Sequence, residues 1–282
     1  MKTITIGISP CPNDTFIFEG IYNHRIDLQG IKYEFIMGDV EELNNMALQG
    51  KLDVTKISFN AFTKVLDRYE LLHSGSALGR NCGPLLISRK PIDSKNIDHL
   101  TVAIPGENTT ANLLLTIAYP NLKNKKQMIF HEIEDAVIQE QVDLGLIIHE
   151  NRFTYQRKGL IKIRDLGEYW EETYHHPIPL GGIAIKRELD SEIKQLINQS
   201  IRSSIEYAYA NPGIGRQWVK KHSQEMDDEV IDQHIGLYVN EYSIDLGKEG
   251  QKAVKTLIQT MIDLEIMNSS EKNIFLATNQ HP

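Results

Sequence analysis

The sequence predicts an α/β fold in two lobes around a central cleft, and three observations carry that expectation. Short apolar runs alternate with helical patterns through residue 189. The segment 33–59 is echoed at 128–149. Two glycine-led apolar strands that end in basic residues, at 83–90 and 181–187, stand where a chain would cross from one lobe to the other. Alternation of strands and helices implies a largely parallel sheet covered by helices.

The apolar runs fall at 4–8, 33–37, 54–59, 85–88, 100–104, 144–148 and 183–185. Each is short and most are rich in Ile, Val or Leu, as buried strands are. Between the second and third, the segment 39–48 places Val40, Leu43, Asn44, Ala47 and Leu48 on one stripe, with Glu41, Glu42, Asn45 and Gln49 away from it, which predicts an amphipathic helix. In the echo, each copy reads strand, acidic helix start, helix, and then a strand opened by Asp53 or Asp143. This is either lobe-to-lobe correspondence or ordinary βαβ grammar. If the two glycine-led strands are hinge crossings, residues 1–88 and 186–282 share the first lobe and residues 89–185 form the second. From Asp190 the pattern is helical. Ile193, Ile197, Ile201, Ile205 and Ala208 make one apolar face, and Asn211-Pro212-Gly213 stops it. Further helices are expected at 213–222, 227–238 and 248–264, with a polar, peripheral tail from 268 to 282.

The chain has 282 residues, of which 41% are hydrophobic and 24% charged, the composition of a globular protein. A net charge of -8 argues against a nucleic-acid surface but not against a locally positive pocket for a small anion. Two cysteines, Cys11 and Cys82, do not make a disulfide framework, and no spacing of Cys and His suggests a metal site. The first residues alternate Thr with Ile, too polar for a signal-peptide core. No apolar run approaches the roughly 18 residues a membrane span needs. A cytoplasmic protein with no membrane partner is expected, and a homodimer is left open.

Four segments have the residue types for chemistry. Ser9-Pro10-Cys11-Pro12-Asn13-Asp14-Thr15 follows the first strand, where ligands of open α/β sheets sit; the loop is either cleft wall, with Pro12 and Asn13 facing the ligand, or a rigid, well-capped turn. In Lys56-Ile57-Ser58, strand alternation puts Lys56 and Ser58 on one face. A lysine in an apolar strand must meet a ligand anion or pair with an acid such as Asp14 or Asp39. Pro105 through Leu113 runs from a strand through a glycine turn to Thr109-Thr110-Ala111 at a helix start, whose free N–H groups suit a carboxylate or phosphate unless the segment merely caps the helix. Leu144-Gly145-Leu146-Ile147-Ile148-His149-Glu150 ends an apolar run in a histidine. Imidazole titrates near neutrality, so His149 is the candidate proton acceptor, with Glu150 a weaker candidate partner. The aromatics Tyr169, Trp170 and Tyr174 suit either a flat ligand or a core. Arg80 suits either the cleft mouth or a surface turn. Adjacent His175 and His176 point oppositely on an extended chain and do not read as a metal pair.

These residues together resemble the 1,4-dihydroxy-6-naphthoate synthase family. The likeness lies in Ser9 through Phe16, Asp39 through Asn44, Asp53 through Ser58, Gly106 through Leu115, Gly145 through Glu150 and Arg152 through Tyr155. It continues in Asp165 through Glu168, Pro177 through Gly182 and Ile205 through Pro212, and it fades beyond about Gly250. The resemblance implies a type II periplasmic-binding-protein fold used as an enzyme, with a central cleft and two hinge crossings. It implies a carbon–carbon lyase of the futalosine route to menaquinone, cleaving cyclic dehypoxanthine futalosine to 1,4-dihydroxy-6-naphthoate, with no metal and no organic cofactor. It also implies that His149 is the proton acceptor and that Lys56, Ile57, Ser58, Thr109, Thr110 and Ala111 contact a small-molecule substrate bearing a carboxylate. A solute-binding protein and the sister enzyme chorismate dehydratase share this plan and remain the alternatives.

Overall fold

A computed structural model describes residues 2–223 and 227–277. Its strands are β1 (Lys2–Ile8), β2 (Ile31–Met37), β3 (Val54–Ser58), β4 (Tyr69–Leu71), β5 (Ala77–Gly79), β6 (Leu85–Ser88), β7 (Val102–Ile104), β8 (Lys125–Gln127), β9 (Leu144–Ile147), β10 (Ile161–Asp165) and β11 (Ile178–Lys186). They form two sheets. One has the order β2-β1-β3-β11-β4 with β5 on β11, and the other the order β10-β6-β9-β7-β8.

The echo is a true correspondence. In the first sheet β1 lies between β2 and β3, and in the second β7 lies between β8 and β9, all in parallel. The two aspartates do the same work. Asp53 Oδ2 accepts from the backbone N–H and hydroxyl of Thr5 at 3.0 and 2.9 Å, and Asp143 Oδ2 accepts from those of Thr101 at 2.7 and 2.7 Å. Each opens its strand by clamping the neighbouring strand in register.

Two expectations are corrected. The sheets are mixed: β11 runs antiparallel to β3, β4 and β5, and β6 runs antiparallel to β9 and β10. The chain crosses beside the carboxyl ends of the parallel strands, and a strand entering a sheet from that end must run against them. The boundaries also move. The expected break after residue 88 would put β6 in the first lobe, but β6 pairs in the second sheet. The break before residue 186 would put β11 in the second lobe, but β11 pairs in the first. The crossings precede these strands, near 80–84 and 175–177. Arg152 clamps the first, donating to the carbonyls of Asn81 and Gly83 at 2.8 and 2.6 Å while its guanidinium meets Asp165 at 2.6 Å.

The helices fall close to expectation. Val40–Leu48 is capped by Asp39, whose carboxylate accepts from the N–H groups of Glu41 and Glu42. The helix Ser191–Ala210 buries Ile197, Ile201 and Ile205 against the first sheet and the helix Pro12–Tyr22. Arg216–His222, Asp228–Tyr238 and Gly247–Asp263 follow. The tail is less peripheral than its polarity implied. Leu276 is buried, its N–H donates to the carbonyl of Leu71 at 2.8 Å, and its own carbonyl accepts from His73 Nε2 at 2.8 Å. Part of the tail, from 278 onward, lies outside the described residues.

Trp170 is fully buried and packs on Tyr174, so it belongs to the core and not to a ligand platform. Arg80 is exposed and pairs with Glu171 and Glu249 at 3.6 and 3.4 Å, a surface turn.

Candidate active site

The parallel strands of both sheets end at one cleft, as the general rule for ligand sites in open α/β sheets requires. Its walls are Ser9 and Asn13 after β1, Lys56, Ile57 and Ser58 at the end of β3, Thr109, Thr110 and Ala111 after β7, and Ile148 and His149 after β9. Eight of the nine residues singled out from the sequence therefore converge, from segments up to 136 positions apart. The ninth, Pro12, opens the helix Pro12–Tyr22 and does not line the cleft. Val40, Ala77, Cys82, Pro84, Leu180, Gly181 and Tyr238 complete the walls and carried no chemical signal in the sequence.

Polar contacts between the loops of the two sheets hold the cleft closed. The Glu41 carboxylate accepts from the backbone N–H of Asn108 at 3.1 Å and from its side-chain amide at 2.7 Å. Thr110 Oγ1 accepts from the N–H of Phe59 at 2.9 Å and donates to the carbonyl of Leu180 at 2.5 Å. Asn60 donates to the carbonyl of Glu107 at 3.1 Å. The Thr109 hydroxyl caps its helix by accepting from the N–H of Asn112. Both threonine hydroxyls are thus committed to structure. What this segment offers a ligand is the backbone N–H groups of Thr110 and Ala111 in the first helical turn. Ser58 is pinned from behind: its Oγ accepts from Asn44 Nδ2 at 3.1 Å and its N–H donates to Asn44 Oδ1 at 2.9 Å.

Lys56 takes the paired reading. Its ammonium is 2.8 Å from Asp14 Oδ1 with both side chains buried. Asp14 Oδ2 accepts from the N–H and hydroxyl of Ser9 at 3.1 and 2.8 Å. A buried ion pair persists only when the remaining lone pairs are satisfied in this way.

His149 follows β9 with φ at 59°, the left-handed region. A non-glycine residue there stores about 1–3 kcal/mol of strain that the surroundings must hold in place, a condition concentrated at functional sites. Its ring meets Phe130 edge-on at 5.1 Å and lies nearly parallel to His234, centroids 6.1 Å apart. Burial pulls the imidazole down to about 4; Asp14 opposes this, Lys56 adds to it and Asp39 opposes it. His149 is therefore neutral at physiological pH, with a lone pair available to take a proton. Nε2 is buried without a hydrogen-bond partner.

Cys11 Sγ, a ring nitrogen of His149 and a carboxylate oxygen of Glu150 lie within 4.8 Å of one another. Burial and then Glu150 push the Cys11 thiol well up. A thiol held protonated is a poor metal ligand, and no metal is assigned to this trio.

Sequence reasoning missed His234. It is fully buried behind His149, and its Nε2 is 3.0 Å from Asn13 Oδ1. The signal was present: Val230, Ile231, His234 and Tyr238 recur at helical spacing and are all buried on one face. A histidine on an apolar stripe reads as core until its neighbours in space are known.

A family model described as menaquinone biosynthesis matches residues 4–262. The chain belongs to the menaquinone-biosynthesis family. Two relatives named 1,4-dihydroxy-6-naphtoate synthase, from Thermus thermophilus and Streptomyces coelicolor, are each 42% identical over 91% of the chain, covering 93% and 92% of their own lengths. Among solved structures, an Archaeoglobus fulgidus protein superposes with a TM-score of 0.89 at 32% identity, covering 94% of this chain and 98% of that one. The periplasmic aliphatic sulphonate binding protein SsuA of Escherichia coli superposes at 0.67 with 11% identity, covering 97% of this chain and 90% of its own. This second likeness shows the fold alone: the chain has a periplasmic-binding-protein-like architecture. Among the described residues of this member, no helix is long and apolar enough to cross a membrane.

Proposed function

We propose that the chain is a 1,4-dihydroxy-6-naphthoate synthase, a carbon–carbon lyase that converts cyclic dehypoxanthine futalosine to 1,4-dihydroxy-6-naphthoate with His149 as proton acceptor. The observation that carries this reading is a neutral histidine held in a left-handed backbone in a closed cleft. The name borne by relatives 42% identical over nearly the whole chain supports it. The reading places the enzyme in the cytoplasm and uses no metal ion or organic cofactor.

In this reading the substrate carboxylate lies against the N–H groups of Thr110 and Ala111, with Ser58 on the opposite wall. Lys56 is already neutralised by Asp14, so it adds polarity without trapping the product by a bare charge. Closure through Glu41 and Asn108 removes water from around the reacting bonds and fixes the substrate beside His149. Formation of the aromatic product supplies driving force, which leaves the protein to position the substrate and accept a proton.

Incubation of the protein with cyclic dehypoxanthine futalosine, with products read by mass spectrometry, is expected to yield 1,4-dihydroxy-6-naphthoate, and incubation with chorismate to yield nothing. Dehydration of chorismate would make the protein a chorismate dehydratase. Tight retention and unchanged release of a carboxylate ligand would make it a solute-binding protein.

A pH profile tests the base separately. A histidine depressed to about 4 in the free enzyme is uncharged, and active, above that value. The value of kcat/KM should therefore hold steady below the ordinary histidine range of about 6.5 and fall only as His149 gains a proton near 4. An acid limb at the ordinary value would show that His149 is not the desolvated base described.

A further inference from the structure

The left-handed backbone of His149 persists only if the chain around it is held in place. The His149 carbonyl accepts from the N–H of Arg152 at 3.3 Å, which closes a turn into the helix Asn151–Thr154. Four residues are far too few for a helix to be stable by itself in water. None of the four is buried, and the helix start has no side-chain cap. Phe153 is only partly covered, and full burial resumes at Tyr155.

The firm hold on this turn is polar. The Arg152 guanidinium donates through Nη1 to the carbonyl of Gly83 at 2.6 Å. Through Nη2 it donates to the carbonyl of Asn81 at 2.8 Å and to Asp165 Oδ2 at 2.6 Å. The planar group fixes direction as well as distance. The far side of the anchor is rigid. Asp165 is buried, and its Oδ1 accepts from the N–H groups of Gly167 and Glu168 at 2.8 and 3.2 Å. Gly83 lies directly on Gly167, so a Cβ added to either would strike the backbone of the other. The N–H of Leu166 donates to the carbonyl of Pro84 at 3.0 Å. The first crossing and the start of the helix Leu166–Tyr174 are thus pressed backbone to backbone, and Arg152 is bonded to both sides.

We infer that Arg152 is the positioning residue of His149: it ties the turn, and through the turn the left-handed backbone of the base, to the crossing between the lobes. This role rests on the base assignment proposed above. Arg152 does not line the cleft, so its effect on the reaction passes through His149.

Arg152→Met alone would leave the Asp165 carboxylate buried and unpaired. The test is therefore the double variant Arg152→Met, Asp165→Asn, which removes both charges and keeps an oxygen to cap the helix. In the full-length enzyme it should lower kcat at least about tenfold through misplacement of the base. Its dissociation constant for 1,4-dihydroxy-6-naphthoate should stay within about threefold of wild type. An NMR titration of His149 gives a second reading. In the wild type the ring titrates at about 4, set by burial with Asp14, Lys56 and Asp39, and with Cys11, Glu150 and His234 also beside it. The double variant alters none of these groups. Its His149 midpoint should rise to about 5 or above, toward the ordinary 6.5, as the ring moves to a more solvated place. Arg152→Lys, whose single ammonium cannot reproduce the planar group, should move both readings less and in the same direction. Wild-type kcat and midpoint in the double variant overturn the inference. A fall in kcat matched by an equal fall in naphthoate affinity also overturns it, since that is damage to the whole cleft. If the double variant does not fold, Arg152→Lys decides, and wild-type values for it overturn the inference. The titration needs no turnover, so it judges the hold on His149 even where an active His149→Ala enzyme has overturned the base assignment.

Discussion

Replacing His149 by alanine is expected to lower kcat by at least about a hundredfold, the usual worth of a positioned general base. The fold should survive. His149 is only partly buried, its Nε2 has no hydrogen-bond partner to orphan, and its ring contacts are to Phe130 and His234. The backbone deserves a control, because φ at 59° disfavours alanine. Asparagine tolerates the left-handed region, so His149→Asn removes the base without adding strain. Both variants should show the same loss of turnover, with unfolding midpoints close to wild type. Near-normal turnover in either would remove the base from the scheme.

The second large effect is on stability. Lys56→Met should destabilise the protein by about 3 kcal/mol, because breaking a buried pair strands the partner's charge. The lower end of the usual range applies, since Asp14 keeps three donors: the N–H and hydroxyl of Ser9 and the amide of Asn13. The double variant Asp14→Asn, Lys56→Met removes both charges and should recover much of the loss. Urea unfolding measures both, given equal slopes across the series. A single-variant loss under about 1 kcal/mol would mean that the pair is solvated and the cleft floor is not as dry as its burial indicates.

Much of the fold was legible in the residues. Strands and helices show themselves through periods of two and 3.6, and the capping aspartate Asp39 and the stop at Asn211-Pro212-Gly213 are local signals. The echo around Asp53 and Asp143 was also local, and it proved to be the same clamp used twice. The direction of β6 and β11 was not legible. A strand's sequence reports its burial, not the end from which it enters the sheet. The docking of Leu276 was hidden because it depends on backbone hydrogen bonds to Leu71, which leave no mark on side-chain pattern.

The site divides along the same line. His149, Lys56, Ser58 and the helix start at Thr109 were visible because each stands at the end of a strand, where this fold class places its ligands. Their roles were not. The sequence offered Lys56 as ligand contact or ion pair, and only the approach of Asp14 decided it. It offered the helix start at Thr109 as free N–H groups for an anion or as a mere cap, and only Gly106, Phe59 and Leu180 showed that the two threonine hydroxyls are in structural use. His234 lies 85 positions beyond His149, on a stripe that reads as core. Strand ends and residue types are local properties, so the sequence by itself determined where a cleft would form and which histidine would line it. Protonation, pairing and access depend on atoms brought together from distant segments, so only the tertiary structure decided that the histidine is neutral, that the lysine is paired, and that a second histidine stands behind the first.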